Sequence, residues 1–575
     1  MSMALIQRLC KSLQTPALIK RYSDAAIGLV LIICTQLLVV PTQIALDLHS
    51  VNIPASILAM ILVFFTMTVA TSVNKDVTKF YDKHLRGPTD FVGRHMSLGF
   101  VAFFVLLIRD HVKNSLDIPR FAGVFVITTI VSYLFSFFLA YGGFHLEHRL
   151  RRPRRNAVDI ESNNKTWPSP SIAWPAPSCE RRSKIIDHLS PLNEALSKHE
   201  PSIEINTVSD SSAAISIDFV LRTAPIWIWL FILTTIGLPI CLATGYMMPF
   251  EAVCFILFWV LSIQFQRSLR SSEALSRFRR LRSLLLIFCN PLLLTWALAT
   301  AYIWGKALCE GRNIDDVVGD FRHYSSLARC IIHIIEDPNV PAHLGAGDLA
   351  GILLDAGVAC MGFKMYEYRS ELWASVGTVS ITCTALAAIN VFLNVLVGHG
   401  LGLQAEDAIS FASRSATLAL GIPAIENLGG SATLASTIAI FSGILFQMTG
   451  DWLFSVLRID DRVSRDASGS TTARPPTVPA PTKQRSLSNR TNPDGGTEIK
   501  DVTDDCARTD EESTIVAAGV TIGINAAAMG TAYLIERDSR AVAYSALSMI
   551  VFGAATVALT AFPAATETIV KLTMG

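Results

Sequence analysis

Charged residues are scarce in this chain. Only 17% of its 575 residues are Asp, Glu, Lys or Arg, whereas 51% are hydrophobic, and the formal net charge is +1. A set of soluble domains would carry more charge, so the composition indicates a polytopic membrane protein. The sequence also lacks a continuous basic face of the kind that binds phosphate backbones, which argues against a nucleic-acid partner.

Motifs of enzyme and metal chemistry are absent as well. The 11 cysteines include no Cys-x-x-Cys pair and lie mostly in apolar runs, which is typical of small buried apolar residues. His323, His333 and His343 follow one another at intervals of ten, a spacing that fits neither a helix face nor a zinc site. There is no nucleophile elbow and no phosphate-binding loop. We therefore expect no enzyme activity, no metal and no cofactor.

Long apolar runs are what the chain has in abundance. A helix needs about 20 mainly apolar residues to cross a lipid bilayer. The sequence predicts an all-α membrane protein with about 12 such helices, near residues 25–45, 53–71, 96–108, 121–141, 223–246, 247–265, 284–304, 347–366, 372–397, 431–457, 513–535 and 541–562.

Hydrophilic segments divide the chain into parts. We predict a basic tail (1–24), a four-span membrane domain (25–144), a hydrophilic linker (145–216), a second membrane domain (217–562) with a disordered loop at 460–512, and a C-terminal tail (563–575). Basic residues near span ends favour a cytosolic N-terminus. Because the first 23 residues contain no acid, an organelle-targeting sequence is the alternative explanation of that tail.

One apolar segment, residues 408–451, is interrupted halfway. Pro423, Gly429 and Gly430 lie in its middle, and Arg414 lies at a depth where charge is costly. An unwound backbone in a membrane must be buried in protein or line a wet cavity, so the break indicates a substrate site. A short loop between two ordinary spans is the alternative. The positive residues after 457 favour a re-entrant hairpin near 408–430.

The residues around this break favour an anion. Arg414 has Ser415 and Thr417 beside it, and its planar guanidinium offers paired donors to a carboxylate. Snorkelling, or pairing with an acid at 406 or 407, would explain the arginine equally well. A helix that starts at Gly430 and Ser431 would add free N–H donors and the positive end of its dipole.

Other polar residues lie in later or neighbouring spans. Asn525 is the strong hydrogen-bonding group in the middle of the Gly-interrupted stretch 519–538, a second candidate broken helix. Asp348 and Asp355 are seven residues apart and share a helix face, as do Asn390 and Asn394 at a spacing of four. The aspartates could couple transport to a proton or sodium ion, although helix capping or packing explains them too.

Several stretches resemble a known family. VNIPASILAMILVFF (51–65) and FVGRHMSLGFV (91–101) resemble LrgA, whereas CNPLLL (289–294), SRSATLALGI (413–422), NLGGSATLASTIAIFSGIL (427–445) and GINAAAMGTAYLIERD (523–538) resemble LrgB. The chain is thus similar to a fusion of the two halves of the LrgA/LrgB (CidA/CidB) holin-like family, the arrangement also found in the plastidial glycolate/glycerate transporter of plants. In this reading 25–144 is LrgA-like and 217–562 is the LrgB-like transport domain.

The resemblance places Arg414, Ser415, Thr417, Gly429, Gly430 and Thr531 on family motif positions. The chain departs from bacterial members where Leu418-Ala419 replaces their Thr-Pro pair and Ala527 replaces a late His. The resemblance and the residues themselves together imply a substrate site. It is formed by Arg414, Ser415, Thr417, Gly429, Gly430, Ser431, Asn525 and Thr531.

The function implied is a carrier for small carboxylates such as glycolate, glycerate or pyruvate. One alternative is a holin-like modulator of membrane permeability, without a specific substrate, that forms a homo-oligomer through its first four spans. Another is a membrane scaffold that presents its hydrophilic linkers to cytosolic partners.

Overall fold

The computed structural model describes residues 16–49, 54–106, 118–162, 223–272, 282, 285–286, 288–324, 327–336, 343–456, 498–537 and 539–574. Within these ranges the regular structure is helical and no β-sheet forms. The first nine helices are α1 (Pro16–Leu48), α2 (Ala55–Val73), α3 (Asp76–Leu106), α4 (Ile118–Ser162), α5 (Thr223–Thr244), α6 (Met248–Ser271), α7 (Pro291–Glu310), α8 (Ile314–Phe321) and α9 (Leu327–Glu336).

The remaining nine helices are α10 (Ala346–Glu367), α11 (Arg369–Gly400), α12 (Ala405–Ser410), α13 (Leu418–Leu428), α14 (Ala432–Val456), α15 (Glu498–Asn525), α16 (Ala527–Glu536), α17 (Val542–Ala561) and α18 (Pro563–Met574). The chain divides into two units. One consists of Met1–Thr15 with His148–Ala224, and the other consists of Pro16–Glu147 and Pro225–Gly575. Every contact discussed below lies inside the second unit.

Eleven of the described helices are long and apolar enough to cross a membrane. They correspond to eleven of the twelve predicted spans, and their outer faces carry exposed apolar side chains such as Leu29, Ile33 and Leu37 of α1. An all-α polytopic architecture is thereby confirmed. The remaining predicted span, 513–535, is divided between α15 and α16 at Ala526.

Several segments that we predicted to lie between spans are helical. The charged residues 74–94 belong largely to α3, and α4 continues past 144 to Ser162. Of the predicted disordered loop 460–512, residues 460–497 lie outside the described residues, but α15 already begins at Glu498. Residues 498–512 contain no Gly or Pro, so nothing in their backbone chemistry interrupts the helix. The predicted C-terminal tail forms α18.

The broken segment exists, but its breaks are not all where we expected them. Pro423 does not interrupt the chain, because it lies inside α13. The backbone instead leaves the α-helix after Ser410, passes through a 3₁₀ turn and the non-helical residues 414–417, and leaves it again after Leu428, where Gly429 adopts a φ of +75° and ends α13. α13 has 11 residues and is about 16 Å long at 1.5 Å per residue, too short to cross a bilayer. Whether the segment re-enters the membrane stays a prediction.

α10 packs closely against α2, and glycine makes this approach feasible. A Cβ placed on Gly362 would overlap the backbone carbonyl oxygen of Met60 in α2. Close approach through small residues is the usual way in which membrane helices gain packing energy. Gly351 lies on the same helix with open space around its own Cβ position.

An ion-pair network joins α3 to α10. Lys364 Nζ lies 2.5 Å from Asp90 Oδ1 and 2.9 Å from Glu367 Oε2, and Arg86 Nη2 lies 2.6 Å from Glu367 Oε1. All but Arg86 are largely shielded from solvent. These pairs hold the predicted N-terminal membrane domain against the second one.

The packing at Gly362 can be tested with a matched pair of substitutions on α10. We expect G362A to lower the free energy of unfolding of the detergent-purified protein by about 1–3 kcal/mol, and with it the melting temperature, because the methyl group forces α2 and α10 apart. G351A should leave stability unchanged or raise it by up to about 1 kcal/mol, because alanine favours the helix. Equal melting temperatures for the two variants would contradict the α2–α10 contact.

Candidate functional site

Arg414 lies in the first unwound part of the broken segment. α12 continues into a single 3₁₀ turn at Phe411–Ser413, and the helical pattern then stops until Thr417, whose extended backbone begins α13. Backbone bonds from Arg414 N to Phe411 O (3.1 Å) and from Ala416 N to Ser413 O (2.9 Å) keep these turns tight. The break therefore holds the arginine in a defined position.

The Arg414 side chain is 1% exposed, and its guanidinium bonds only neutral groups. Nη1 donates to Thr129 Oγ1 (2.9 Å), and Nη2 donates to Ser415 Oγ (2.9 Å) and to Asn525 Oδ1 (3.2 Å). Nε is buried with no hydrogen-bond partner among the described residues. No Asp or Glu in that part of the chain pairs with Arg414. It therefore neither snorkels nor forms the ion pair at 406 or 407 that was the alternative.

Asn525 brings a second broken helix to the same place. α15 ends at Asn525, and Ala527 adopts a φ of +48° before α16 continues. A left-handed backbone is strained for a residue other than glycine. The Asn525 amide nitrogen donates to Ser136 Oγ and to Thr521 O, both at 3.0 Å, so its oxygen is turned towards Arg414. Two interruptions that are distant in sequence thus meet at one buried hydrogen bond.

Helix α4 supplies two partners that we did not predict. Thr129 accepts from Arg414, and Ser136 accepts from Asn525. Both hydroxyls are buried. The sequence does contain a sign of this polar helix face, because Thr129, Ser132 and Ser136 follow one another at spacings of three and four. Isolated hydroxyls in an apolar helix are common, and their own i−4 carbonyls usually satisfy them.

The other predicted site residues make different contacts. Thr417 begins α13 without a side-chain capping bond, and Gly429 ends that helix. The Ser431 backbone N–H donates to Ser410 Oγ at 2.8 Å, and Thr531 Oγ1 lies 2.8 Å from Ser545 Oγ of α17. Of the eight residues predicted for the site, the structure joins Arg414, Ser415 and Asn525 by hydrogen bonds. A substrate role for the rest stays a prediction.

Asp348 has the contacts of a helix cap. Its carboxylate accepts backbone N–H groups from Gly345 (2.9 Å), Tyr324 (3.1 Å) and His323 (3.2 Å) near the start of α10. Burial lowers the pKa of the nearby Arg322, and the carboxylates of Asp348 and Asp355 act against that shift. Capping accounts for the Asp348 contacts, and ion coupling by either aspartate stays a prediction.

The asparagines of α11 lie near the α4 face that holds Arg414. Asn390 Nδ2 donates to Ser132 Oγ at 3.3 Å. Asn394, one turn further along α11, is 1% exposed, and both of its amide atoms lack a hydrogen-bond partner among the described residues. A buried amide without partners is costly, so Asn394 has unused capacity for a polar ligand.

Known proteins resemble the second half of the chain. A model of the LrgB-like family matches residues 277–474 and 508–565. Holin-like protein CidB from Staphylococcus aureus strains Mu50 and N315 is 21% identical over 141 residues, which cover 24% of this chain and 62% of the relative. The chain therefore spans about three fifths of the length of these curated relatives. No solved structure matches it significantly.

The match includes both broken helices and therefore Arg414, Ser415 and Asn525, whereas α4 with Thr129 and Ser136 lies outside it. The likeness of the first half to LrgA, and of the whole to the plastidial transporter, stays a prediction. The second half of the chain is thus similar to the LrgB-like family and to the holin-like CidB proteins.

Proposed function

We propose that this protein is a membrane carrier for small carboxylate anions, with the substrate carboxylate bound by Arg414. The observation that carries the proposal is a buried guanidinium whose three hydrogen bonds all go to neutral oxygens. An isolated positive charge inside a membrane protein is costly, and intramembrane charges usually mark a substrate or ion pathway. An anion would supply the missing counter-charge.

The geometry of the guanidinium suits a carboxylate in particular. Its Nε donor is unused, and Nη2 is shared between Ser415 and Asn525. A carboxylate can accept from Nε and displace one of these neutral acceptors from Nη2, which gives a planar pair of charge-assisted bonds. Charge-assisted bonds are about twice as strong as neutral ones. The exchange therefore favours substrate over the resting contacts.

The helix breaks give the site a means of opening. A cleft beside Ser413 is lined by Leu418, Gly421, Ala435 and further small or apolar residues of α13 and α14, and it is narrower than a water molecule. A substrate that entered through this cleft, next to Arg414 in sequence, would require α13 and α14 to move apart. Short helices joined by unwound residues can make such movements without breaking long runs of backbone hydrogen bonds, as discontinuous helices do in carriers.

A holin-like function is the second candidate. It is favoured by the printed name of the relatives, Holin-like protein CidB. A permeability modulator of this kind would pass unrelated solutes without saturation. The buried guanidinium of Arg414 favours the carrier, because a non-selective pore has no need for a buried positive charge that is held by neutral acceptors and keeps an unused Nε donor.

The central role of Arg414 can be tested by substitution in proteoliposomes to which labelled glycolate is added from outside as the probe. R414A should abolish saturable uptake, and R414K should raise the KM at least about tenfold, because an ammonium group keeps the charge but loses the planar pair of donors. R540K is the control, since Arg540 lies outside the candidate spans and bonds Glu371 rather than any residue around Arg414. Full uptake by R414A would refute the assignment, and equal leak of an unrelated dye through all variants would establish the holin-like alternative.

A second variant tests whether the site selects for a negative charge beside Arg414. N525D places a carboxylate where the Asn525 oxygen now lies 3.2 Å from Nη2, so a fixed internal anion competes with the substrate. We expect glycolate uptake to fall at least about tenfold, because the fixed carboxylate occupies donors of Arg414 that the substrate needs. N525A, which adds no charge, should reduce uptake less. Wild-type uptake by N525D would contradict a carboxylate site at this position.

A further inference from the structure

One face of α4 is polar and buried, and the opposite face is apolar and exposed. Thr129, Ser132 and Ser136 lie on the buried face, whereas Ile130 and Leu134 are more than half exposed. In a membrane the exposed face suits lipid. The hydroxyl face is therefore directed into the protein by the same amphipathic pattern that orients the helix.

The hydroxyls on this face are arranged to accept hydrogen bonds. Thr129 Oγ1 donates to Phe125 O at 2.5 Å, and Ser136 Oγ donates to Ser132 O at 2.6 Å, both within α4. Each hydroxyl has one hydrogen, so its oxygen can only accept from other groups. Thr129 accepts from the Arg414 guanidinium, and Ser136 accepts from the Asn525 amide.

These two bonds fix the orientation of the groups that face the proposed substrate. Thr129 takes up Nη1 and so leaves Nε and Nη2 as the edge of the guanidinium that is available to a carboxylate. Ser136 shares the Asn525 amide nitrogen with Thr521 O, which turns Asn525 Oδ1 towards Arg414. Without Ser136, Thr521 O alone would hold the amide against a rotation that presents its donor to the arginine, which repels it.

The contacts between α4 and α11 add an independent observation. Thr378 lies beside Gly143 and Asn390 lies beside Ser132, so the two helices run antiparallel. Asn394, one turn beyond Asn390, therefore lies towards the level of Thr129. Both of its amide atoms are buried and unused within the described structure. The unused donor and acceptor of the Asn394 amide, near the height of Thr129 along α4, are suited to an uncharged polar group of a ligand held by Arg414.

We infer that the anion site is built from both parts of the chain, with Thr129 and Ser136 of α4 as its positioning residues. This inference rests on the proposed carrier function. It adds that the region matched by the LrgB-like family, which excludes α4, forms only part of the site. The predicted N-terminal membrane domain then acts in substrate binding as well as in support.

Neighbouring threonines on α4 provide a matched test in the full-length protein. T129V replaces the hydroxyl that holds Arg414 by a methyl group of similar size. T128V does the same at a buried hydroxyl that bonds only the Val124 and Phe125 carbonyls of its own helix. We expect T129V to raise the KM for labelled glycolate about tenfold with little change in the maximal rate. T128V should match the wild type, and T129S should restore the wild-type KM.

The outcomes separate this inference from the carrier proposal. If R414A loses uptake but T129V and S136A both behave like T128V, α4 has no positioning role and the inference is overturned while the carrier proposal stands. A lower melting temperature and maximal rate for T129V at an unchanged KM would also overturn it, since that pattern marks a purely structural role. If the wild-type protein shows dye leak and no saturable glycolate uptake, the carrier proposal fails and the inference fails with it.

Discussion

The buried guanidinium of Arg414 is the constraint on which the rest of the site depends. It is held by three hydrogen bonds to uncharged oxygens and by no acid in the described part of the chain. Each acceptor comes from a different structural source: its own unwound turn, the break after α15, and α4. A charge in a low-dielectric interior is tolerated only when its surroundings are arranged around it. The local breaks and the polar face of α4 are the parts of the fold that provide this arrangement.

The two helix breaks have different chemical origins. Gly429 ends α13 in the left-handed conformation that glycine adopts without strain. Ala527 takes a similar conformation at the other break, where a Cβ makes it unfavourable. Non-glycine residues persist in strained conformations only when the surrounding structure imposes them, which happens most often at functional sites. The strained backbone at Ala527 therefore sets this break apart from the one at Gly429.

The sequence predicted the broad architecture well because hydropathy reports directly on the membrane. It also singled out Arg414, Ser415 and Asn525, since a charge or an amide inside an apolar run is conspicuous. The exact breaks were harder to predict. Pro423 suggested an interruption, yet the short α13 accommodates it, while Ala527 has no sequence signature of a left-handed residue. Thr129 and Ser136 were missed because hydroxyls in apolar helices normally bond their own backbone. Their second role depends on which helix packs opposite them, and that is a tertiary property.

The contacts between the two predicted membrane domains bear on what the first one does. Gly362 of α10 packs on the Met60 backbone, and Lys364 bridges Asp90 and Glu367 at the α3–α10 contact. These interactions alone would be explained if the first domain only supported the second. Support, however, requires apolar packing and does not require hydroxyls aimed at the two interruptions. Because α4 meets the breaks through Thr129 and Ser136, a movement of α13 or α15 that admits substrate must also exchange bonds with α4. Under the proposed carrier function, the first predicted domain would therefore take part in any such movement, and its position relative to the breaks would affect how tightly an anion is held.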